Sequence, residues 1–308
     1  MLLYFCPKKY ASTMIRNFSI LLFVSIVLLA SCFSNESKYI ALRVRGSDSE
    51  VNLVQALAEN FMDQDSLVSV GVTGGGSGAG IASLINNKTD VANSSRMITD
   101  EEIQMAKDRG VDPYTIVFAQ DVLAIIVNEH NGVDALTLEQ LGKIYSGEIK
   151  NWNEVGGADQ EILLYGRQSS SGTYIYFREN IVKNEYDRSM IGMSGTAQIV
   201  QAIRSDQAGI GYVSAGYLDE NVKNGLKVMH VSKDEVSEAY SPLDKENVIS
   251  GNYPITRPLF QYTNGKPDGK LLEFILYQFS PEGESIIESN GFYPIDAKAI
   301  TDKLTSDE

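Results

Sequence analysis

Cysteine is nearly absent from this 308-residue chain, with Cys6 and Cys32 as its only two. Both stand near the start, so the long remainder has no cysteine pair for a disulfide even in an oxidising compartment. Histidine is equally scarce, at His130 and His230. A zinc cluster is therefore not expected, and nothing in the composition asks for a metal or an organic cofactor. Positive charge is also short: 26 Lys and Arg face 40 Asp and Glu, for a net charge of −14. Nucleic acid wants a basic surface, and this balance argues against that partner. Low-complexity tracts and short-period repeats are missing too.

Acidic residues are absent before Glu36, and that absence has a pattern. Lys8, Lys9 and Arg16 precede an apolar run from Phe18 to Ala30 that ends in Leu29-Ala30-Ser31-Cys32. The run is too short for a comfortable membrane span, and small residues before a cysteine suit cleavage by the lipoprotein route. Residues 1–31 are thus expected to be a lipoprotein signal peptide, with Cys32 as the lipidated residue and 32–37 as a tether. Met14 is an alternative start to Met1. Cleavage would remove three basic residues and no acidic one, making the remaining chain still more negative. Such a chain repels a distant anion, so any anion site has to win locally through dipoles and arginine.

What the sequence does have is glycine in the right place. Thr73-Gly74-Gly75-Gly76-Ser77-Gly78-Ala79-Gly80 lies between the alternating run Val68-Ser69-Val70-Gly71-Val72 and apolar residues Ile81, Leu84 and Ile85 at helical spacing. Glycines in a strand-to-helix turn let the backbone approach a ligand, and the free N–H groups of the helix start favour negative charge. A plain tight turn is the bland alternative. A second loop of the same chemistry is Arg167-Gln168-Ser169-Ser170-Ser171-Gly172-Thr173, after Ile162-Leu163-Leu164-Tyr165. Its guanidinium and hydroxyls suit a tetrahedral oxyanion. A third is Gly46-Ser47-Asp48-Ser49, whose bland reading is a helix N-cap.

Strand-like and helix-like segments alternate along the chain, the pattern of an α/β protein. Thr99-x-x-Glu102 and Thr137-x-x-Gln140 read as capping boxes at helix starts. Helices are expected near 100–109, 137–145, 172–183 and 195–205. Strands are expected at Val91-Ala92, Thr115 to Phe118, Val122 to Val127, Ile210 to Val213 and Leu226 to His230. The runs Gln120 to Asn128 and Ile255 to Thr263 are long and apolar enough to cross between two lobes, and the hinge is placed there.

In order and spacing, these motifs resemble the extracytoplasmic phosphate-binding proteins that feed Pst-type ABC importers. The resemblance rests on Gly46 to Ser49, Gly74 to Ile81, Asp90-Val91-Ala92-x-Ser94-Ser95-Arg96 and Arg167-x-x-x-Ser171-Gly172-Thr173. Gly209-Ile210-Gly211-Tyr212-Val213, Tyr253-Pro254-Ile255-x-Arg257-Pro258-Leu259, Ser280-Pro281-Glu282-Gly283 and Gly291-Phe292-x-Pro294 extend it. It implies a type II-like periplasmic-binding-protein fold, with two lobes, two crossing hinge strands and a ligand cleft between the lobes. Lobe I would comprise 38–121 and 254–308, and lobe II 122–253.

The implied ligand is inorganic phosphate and the implied partners are membrane permease subunits, with the protein itself a monomer. Ser47 or Ser49 would contact the anion from the first loop. Ser77 and Gly78 would do so from the glycine loop, Ser95 and Arg96 from the third motif, and Arg167, Ser171, Gly172 and Thr173 from the second lobe. Some members carry an aspartate where this chain has Ser95, to accept the proton of hydrogen phosphate. Asp48 is the nearest replacement, unless it caps the following helix.

An enzyme is the rival class. Gly75-x-Ser77-x begins a nucleophile elbow, but Ala79 stands where its last glycine belongs. Gly74-x-Gly76-x-x-Ala79 with Asp100 fits a loose dinucleotide fingerprint, against which export argues. A sensor or adhesin on the same fold, or a carrier of another oxyanion, is the third class.

Overall fold

The computed structural model describes residues 39–218 and 224–306, and everything below lies in the unit Ile40–Glu308. The signal peptide, the tether and Cys32 lie outside the described residues. The alternating runs become strands: β1 (Ile40–Gly46) and β2 (Val68–Thr73) pair in parallel from Ile40 opposite Val68 to Arg45 opposite Thr73. Parallel neighbours need a crossover, and α1 (Val51–Gln64) supplies it, burying Leu53, Val54, Leu57, Ala58 and Phe61 on one face. After β2 the glycine loop enters α2 (Ser77–Ile85), which leads to β3 (Val91–Ser94) on the other side of β1. Then α3 (Asp100–Lys107) starts at the expected capping box, with Thr99 and Glu102 bonded reciprocally.

The next strand is β4 (Pro113–Asn128), 16 residues long, joining into one element the two runs read separately from sequence. Beyond it come β5 (Ala135–Thr137), α4 (Leu138–Ser146) with its Thr137–Gln140 capping box, β6 (Leu163–Arg167) and α5 (Gly172–Phe177). The helix expected over 172–183 is α-helical only to Phe177. One π-turn, Arg178–Val182, carries it on and stops at Lys183 with φ 55°. β7 (Ile191–Met193), α6 (Thr196–Ser205) and β8 (Gly209–Ser214) follow. The strand expected over Leu226 to His230 divides in two. β9 (Leu226–Val228) pairs with β4, whereas β10 (His230–Ser232) pairs with β5. The chain closes with α7 (Lys245–Ile249), β11 (Thr256–Asn264), α8 (Gly269–Tyr277), α9 (Pro281–Ser289) and α10 (Lys298–Thr305).

The main sheet runs β2-β1-β3-β11-β4-β8-β6-β7, so β11 and β4 lie side by side at its centre. They pair antiparallel from Thr256 opposite Val122 to Asn264 opposite Pro113. The two ends of β4 belong to different cores. Ile116, Phe118 and Ala119 pack with Leu57, Phe61, Leu259 and Phe274, while Val122, Leu123, Ile125 and Val127 pack with Tyr145, Trp152, Phe177 and Tyr212. One continuous strand thus threads both halves of a two-lobed α/β fold, and the loops ending β1, β2, β3 and β6 meet near its middle. Among the described residues no helix is long and apolar enough to cross a membrane.

Candidate functional site

The first loop is held against the end of β3. Ser47 N–H donates to the Asn93 carbonyl at 3.0 Å, and a Cβ on Gly46, where φ is 152°, would lie 1.9 Å from that oxygen. Only glycine allows so close an approach. The glycine loop docks on the same place, since Gly76 N–H donates to the Gly46 carbonyl at 2.9 Å. Ser77 therefore opens α2 beside Ser95, which follows β3. Ser95 N–H donates to Ser77 Oγ at 3.1 Å, and Ser47 Oγ donates to Ser95 Oγ at 3.1 Å.

The loop after β6 meets these two from across the fold. Gly78 N–H donates to the Ser170 carbonyl at 3.0 Å, so that amide is taken by the opposite loop. Ser49 Oγ and Thr173 Oγ1 stand 2.8 Å apart, and Ser171 Oγ caps α5 by accepting from Thr173 N–H at 3.2 Å. A Cβ on Gly172 would lie 2.3 Å from Ser77 Oγ and 2.8 Å from Ser95 Oγ. The two cradles read from sequence do face each other. Ser47, Ser49, Ser77, Ser95, Ser171 and Thr173 are all buried there.

Charge enters through Arg167, at the end of β6. Its Nη2 donates to Asp48 Oδ2 at 2.5 Å and to the Ser194 carbonyl at 3.1 Å, and its Nη1 donates to Thr196 Oγ1 at 3.4 Å. The side chain of Arg167 is only 3% exposed, yet its Nε–H has no partner among the described residues. An unmatched buried donor costs about 1–3 kcal/mol, so this position favours an acceptor. Asp48 ties three loops together, because its Oδ1 also accepts from Gly75 N–H at 2.8 Å. It does not cap α1: the cap position is Glu50, with no side-chain cap bond. The helix-cap reading of Asp48 is thereby replaced by an ion pair with Arg167.

Arg96 is not brought into this cluster. It makes a two-pronged pair with Glu102 at 2.6 and 2.8 Å and a bond to the Met97 carbonyl, fixing the start of α3 instead. That pair holds the Glu102 carboxyl below its ordinary value against the opposing pull of burial.

A second buried charge pair lies directly behind the hydroxyls. Arg257 and Asp121 are paired across β11 and β4, and Nε and Nη2 of Arg257 donate to Asp121 Oδ2 at 2.9 and 2.7 Å. Their side chains are 1% and 0% exposed. Ser214 Oγ donates to Asp121 Oδ1 at 2.5 Å, and the Arg257 guanidinium sits 5.5 Å from the Tyr176 ring. Burial pushes the Asp121 carboxyl upward, while Arg257 and Ser214 oppose the shift. Glu50, fully buried nearby, has no hydrogen-bond partner for either carboxyl oxygen among the described residues. Burial holds its carboxyl well above the ordinary value although Arg257 pulls it down. Each arginine at the site is thus paired with one carboxyl side chain, Arg167 with Asp48 and Arg257 with Asp121, while burial favours the neutral form of Glu50.

The family model of the PBP superfamily domain matches residues 34–282. The phosphate-binding protein PstS of Staphylococcus saprophyticus is 34% identical over 264 residues, covering 84% of this chain and 81% of that protein. The chain belongs to the PBP superfamily, among its PstS-type phosphate-binding proteins. PstS of Pseudomonas aeruginosa, 29% identical over 271 residues, covers 82% of each chain. Among solved structures, a Clostridium perfringens substrate-binding protein assigned to a phosphate ABC transporter and holding bound phosphate superposes with a TM-score of 0.73. It is 27% identical over 83% of this chain and 100% of its own. An ABC-type phosphate transport receptor from Vibrio cholerae gives a TM-score of 0.65 at 28% identity, with 83% and 100% covered.

Within this PBP-superfamily site, the sequence reading named the serines, Thr173, Asp48 and Arg167 but passed over Asp121, Glu50 and the role of Arg257. A signal for two of them was present. Asp121 and Arg257 are each the only charged residue in their crossing strand, and a lone charge in an apolar run asks for an opposite one.

Proposed function

We propose that this protein captures inorganic phosphate outside the cytoplasm and delivers it to an ABC-type import permease. The observation that carries the reading is the burial of six hydroxyls from the facing loops beside Arg167, in a chain whose relatives are phosphate-binding proteins. Ser47, Ser49, Ser77, Ser95, Ser171 and Thr173 would hold the anion together with Arg167 and the backbone at Gly172. Asp48 would accept the proton of hydrogen phosphate. Because the site's charges are already matched, a dianion has to be held by hydroxyl and N–H dipoles in a dry setting, where each hydrogen bond is stronger than in water. Closure of lobe I (38–121 and 254–308) on lobe II (122–253) about β4 and β11 would couple capture to a shape that the permease reads. PstS-type proteins are substrate-binding proteins, which supports the serines as ligands over the rival reading of them as nucleophiles. Lipidation at Cys32 would keep the monomer at the membrane surface.

The test is calorimetric titration of the refolded, ligand-stripped protein with phosphate and with sulfate. One-to-one phosphate binding at micromolar Kd or tighter, about −8 kcal/mol or better, is expected. No heat at millimolar phosphate would refute the proposal. In the same titration, Arg167→Ala is expected to weaken phosphate by several kcal/mol, since bonds to charged groups contribute about 1.5–3 kcal/mol each. Asp48→Asn is expected to narrow the preference for phosphate over sulfate, because an amide can donate to an oxyanion that a carboxylate repels. An unchanged ratio would remove Asp48 from the site.

A further inference from the structure

We propose that Arg257, on the crossing strand β11, is a positioning residue that fixes the Thr173 and Ser49 hydroxyls as donors toward the captured anion. The inference rests on the phosphate reading above. A guanidinium has five N–H donors and no acceptor. Arg257 directs Nε and one Nη2 proton to Asp121, an Nη1 proton to the Ser95 carbonyl at 3.2 Å, and the second Nη2 proton to Thr173 Oγ1 at 3.1 Å. Thr173 Oγ1 must therefore accept from Arg257, and its own proton has to point elsewhere. The neighbouring oxygen is Ser49 Oγ at 2.8 Å, a contact in which distance alone leaves either atom as donor. Arg257 biases that symmetry: it takes one of the two lone pairs of Thr173 Oγ1, which favours Thr173 as the donor to Ser49 and leaves the Ser49 proton for an acceptor outside the pair. When an anion is present, either hydroxyl can turn its proton to it.

The same logic acts on the other side of the cluster, where Ser95 N–H donates to Ser77 Oγ at 3.1 Å and so favours Ser77 as a donor, although Ser95 Oγ stands 3.3 Å from it and either hydroxyl can donate in that contact. A hydroxyl is both donor and acceptor, and a cluster of hydroxyls alone has no preference for anions. Fixed donors behind it, a guanidinium on one side and a peptide N–H on the other, give the cluster its polarity. The register of β11 against β4 supplies the geometry, since Arg257 lies opposite Asp121 and both are buried. Asp121, held by Ser214 at its second oxygen, keeps the guanidinium from turning. Arg257 reaches the anion only through Thr173 and Ser95, so it acts on affinity without being a ligand.

The test is a double-mutant cycle on phosphate affinity with Arg257→Lys and Thr173→Val, read by calorimetry. A lysine can keep a charge opposite Asp121 but has no planar fork to serve Asp121, Ser95 and Thr173 together. Arg257→Lys alone is expected to weaken phosphate binding by about tenfold or more, and by less than about twofold once Thr173 is valine, because coupled residues are not additive. A merely structural role predicts equal losses in both backgrounds, and that result overturns the proposal, as does unchanged affinity in Arg257→Lys. If the lysine variant does not fold, Arg257→Met with Asp121→Leu removes both charges and enters the same cycle. Failure of that variant to fold as well would make the pair a structural requirement and also overturn the proposal. Wild-type protein that binds no phosphate refutes the phosphate reading itself, whereas binding with an additive cycle refutes only the role of Arg257.

Discussion

Glu50 is where a single residue works against the fold. Its carboxyl is fully buried beside Arg257 and Asp121, neither oxygen finds a hydrogen-bond partner among the described residues, and burial raises it well above its ordinary 4.5. Below that ordinary value both folded and unfolded chains hold the proton, and the group costs nothing through titration. As pH rises past it, the unfolded chain ionises while the folded one does not, so stability is lost until the folded carboxyl itself titrates. Glu50→Gln removes the titration and nearly keeps the shape. Its stability relative to wild type, from urea unfolding, is expected to climb as pH rises past the ordinary value of 4.5, by roughly 1.4 kcal/mol for each unit by which the folded carboxyl is raised. Parallel curves for the two proteins would show that Glu50 is not held neutral. No signal for this residue was legible in the sequence, where Glu50 is simply an acid at a helix start. By contrast, Ser47, Ser49, Ser77, Arg167 and Thr173 were legible because glycine-rich strand-to-helix turns restrict what their backbones can do. Arg96 was misread because it shares a motif with Ser95 while its long side chain leaves toward Glu102.

Among the elements, α5 shows how little room the meeting of the two loops allows. Its first residue, Gly172, faces Ser77 and Ser95 so closely that an alanine Cβ would press on both hydroxyls. Gly172→Ala adds a better helix former at an α-helical position, which on propensity alone favours the helix by roughly 0.8–1 kcal/mol. It would nonetheless hold α5 away from α2. The expected outcome is a melting temperature without phosphate that barely changes and a phosphate affinity lowered by about tenfold or more, as for removal of one good hydrogen bond. Equal affinities would mean that the two loops approach less closely than the described geometry. Capping boxes at Thr99 and Thr137 were readable from sequence because the motif is local. The break of the expected 172–183 helix into a π-turn and the split of 226–230 were not, since each depends on packing against distant elements.

At the scale of the whole molecule, the alternation of strand and helix gave the α/β class, and two long apolar runs gave the crossing strands. Strand order was out of reach, because it depends on which distant edges meet. That order has a consequence for how the protein comes into being. β11 is the last strand in the chain, yet it lies between β3 and β4. A polypeptide emerging amino end first therefore holds β3 and β4 with an empty slot between them until Asn264 has been made. Neither core can close, for Leu259 belongs to one and Ile255, just before the strand, to the other. Such late, long-range closure is slow to form. A chain cut before Thr256 is expected to show no cooperative thermal transition by circular dichroism, and a sharp one would mean that the remaining strands, β1 to β10, pack without β11. For a chain that is to cross a membrane as a thread, as the signal-peptide reading of residues 1–31 requires, a last strand that locks the sheet would be a delay of the useful kind: the nascent chain would stay unlocked while there is still a pore to pass.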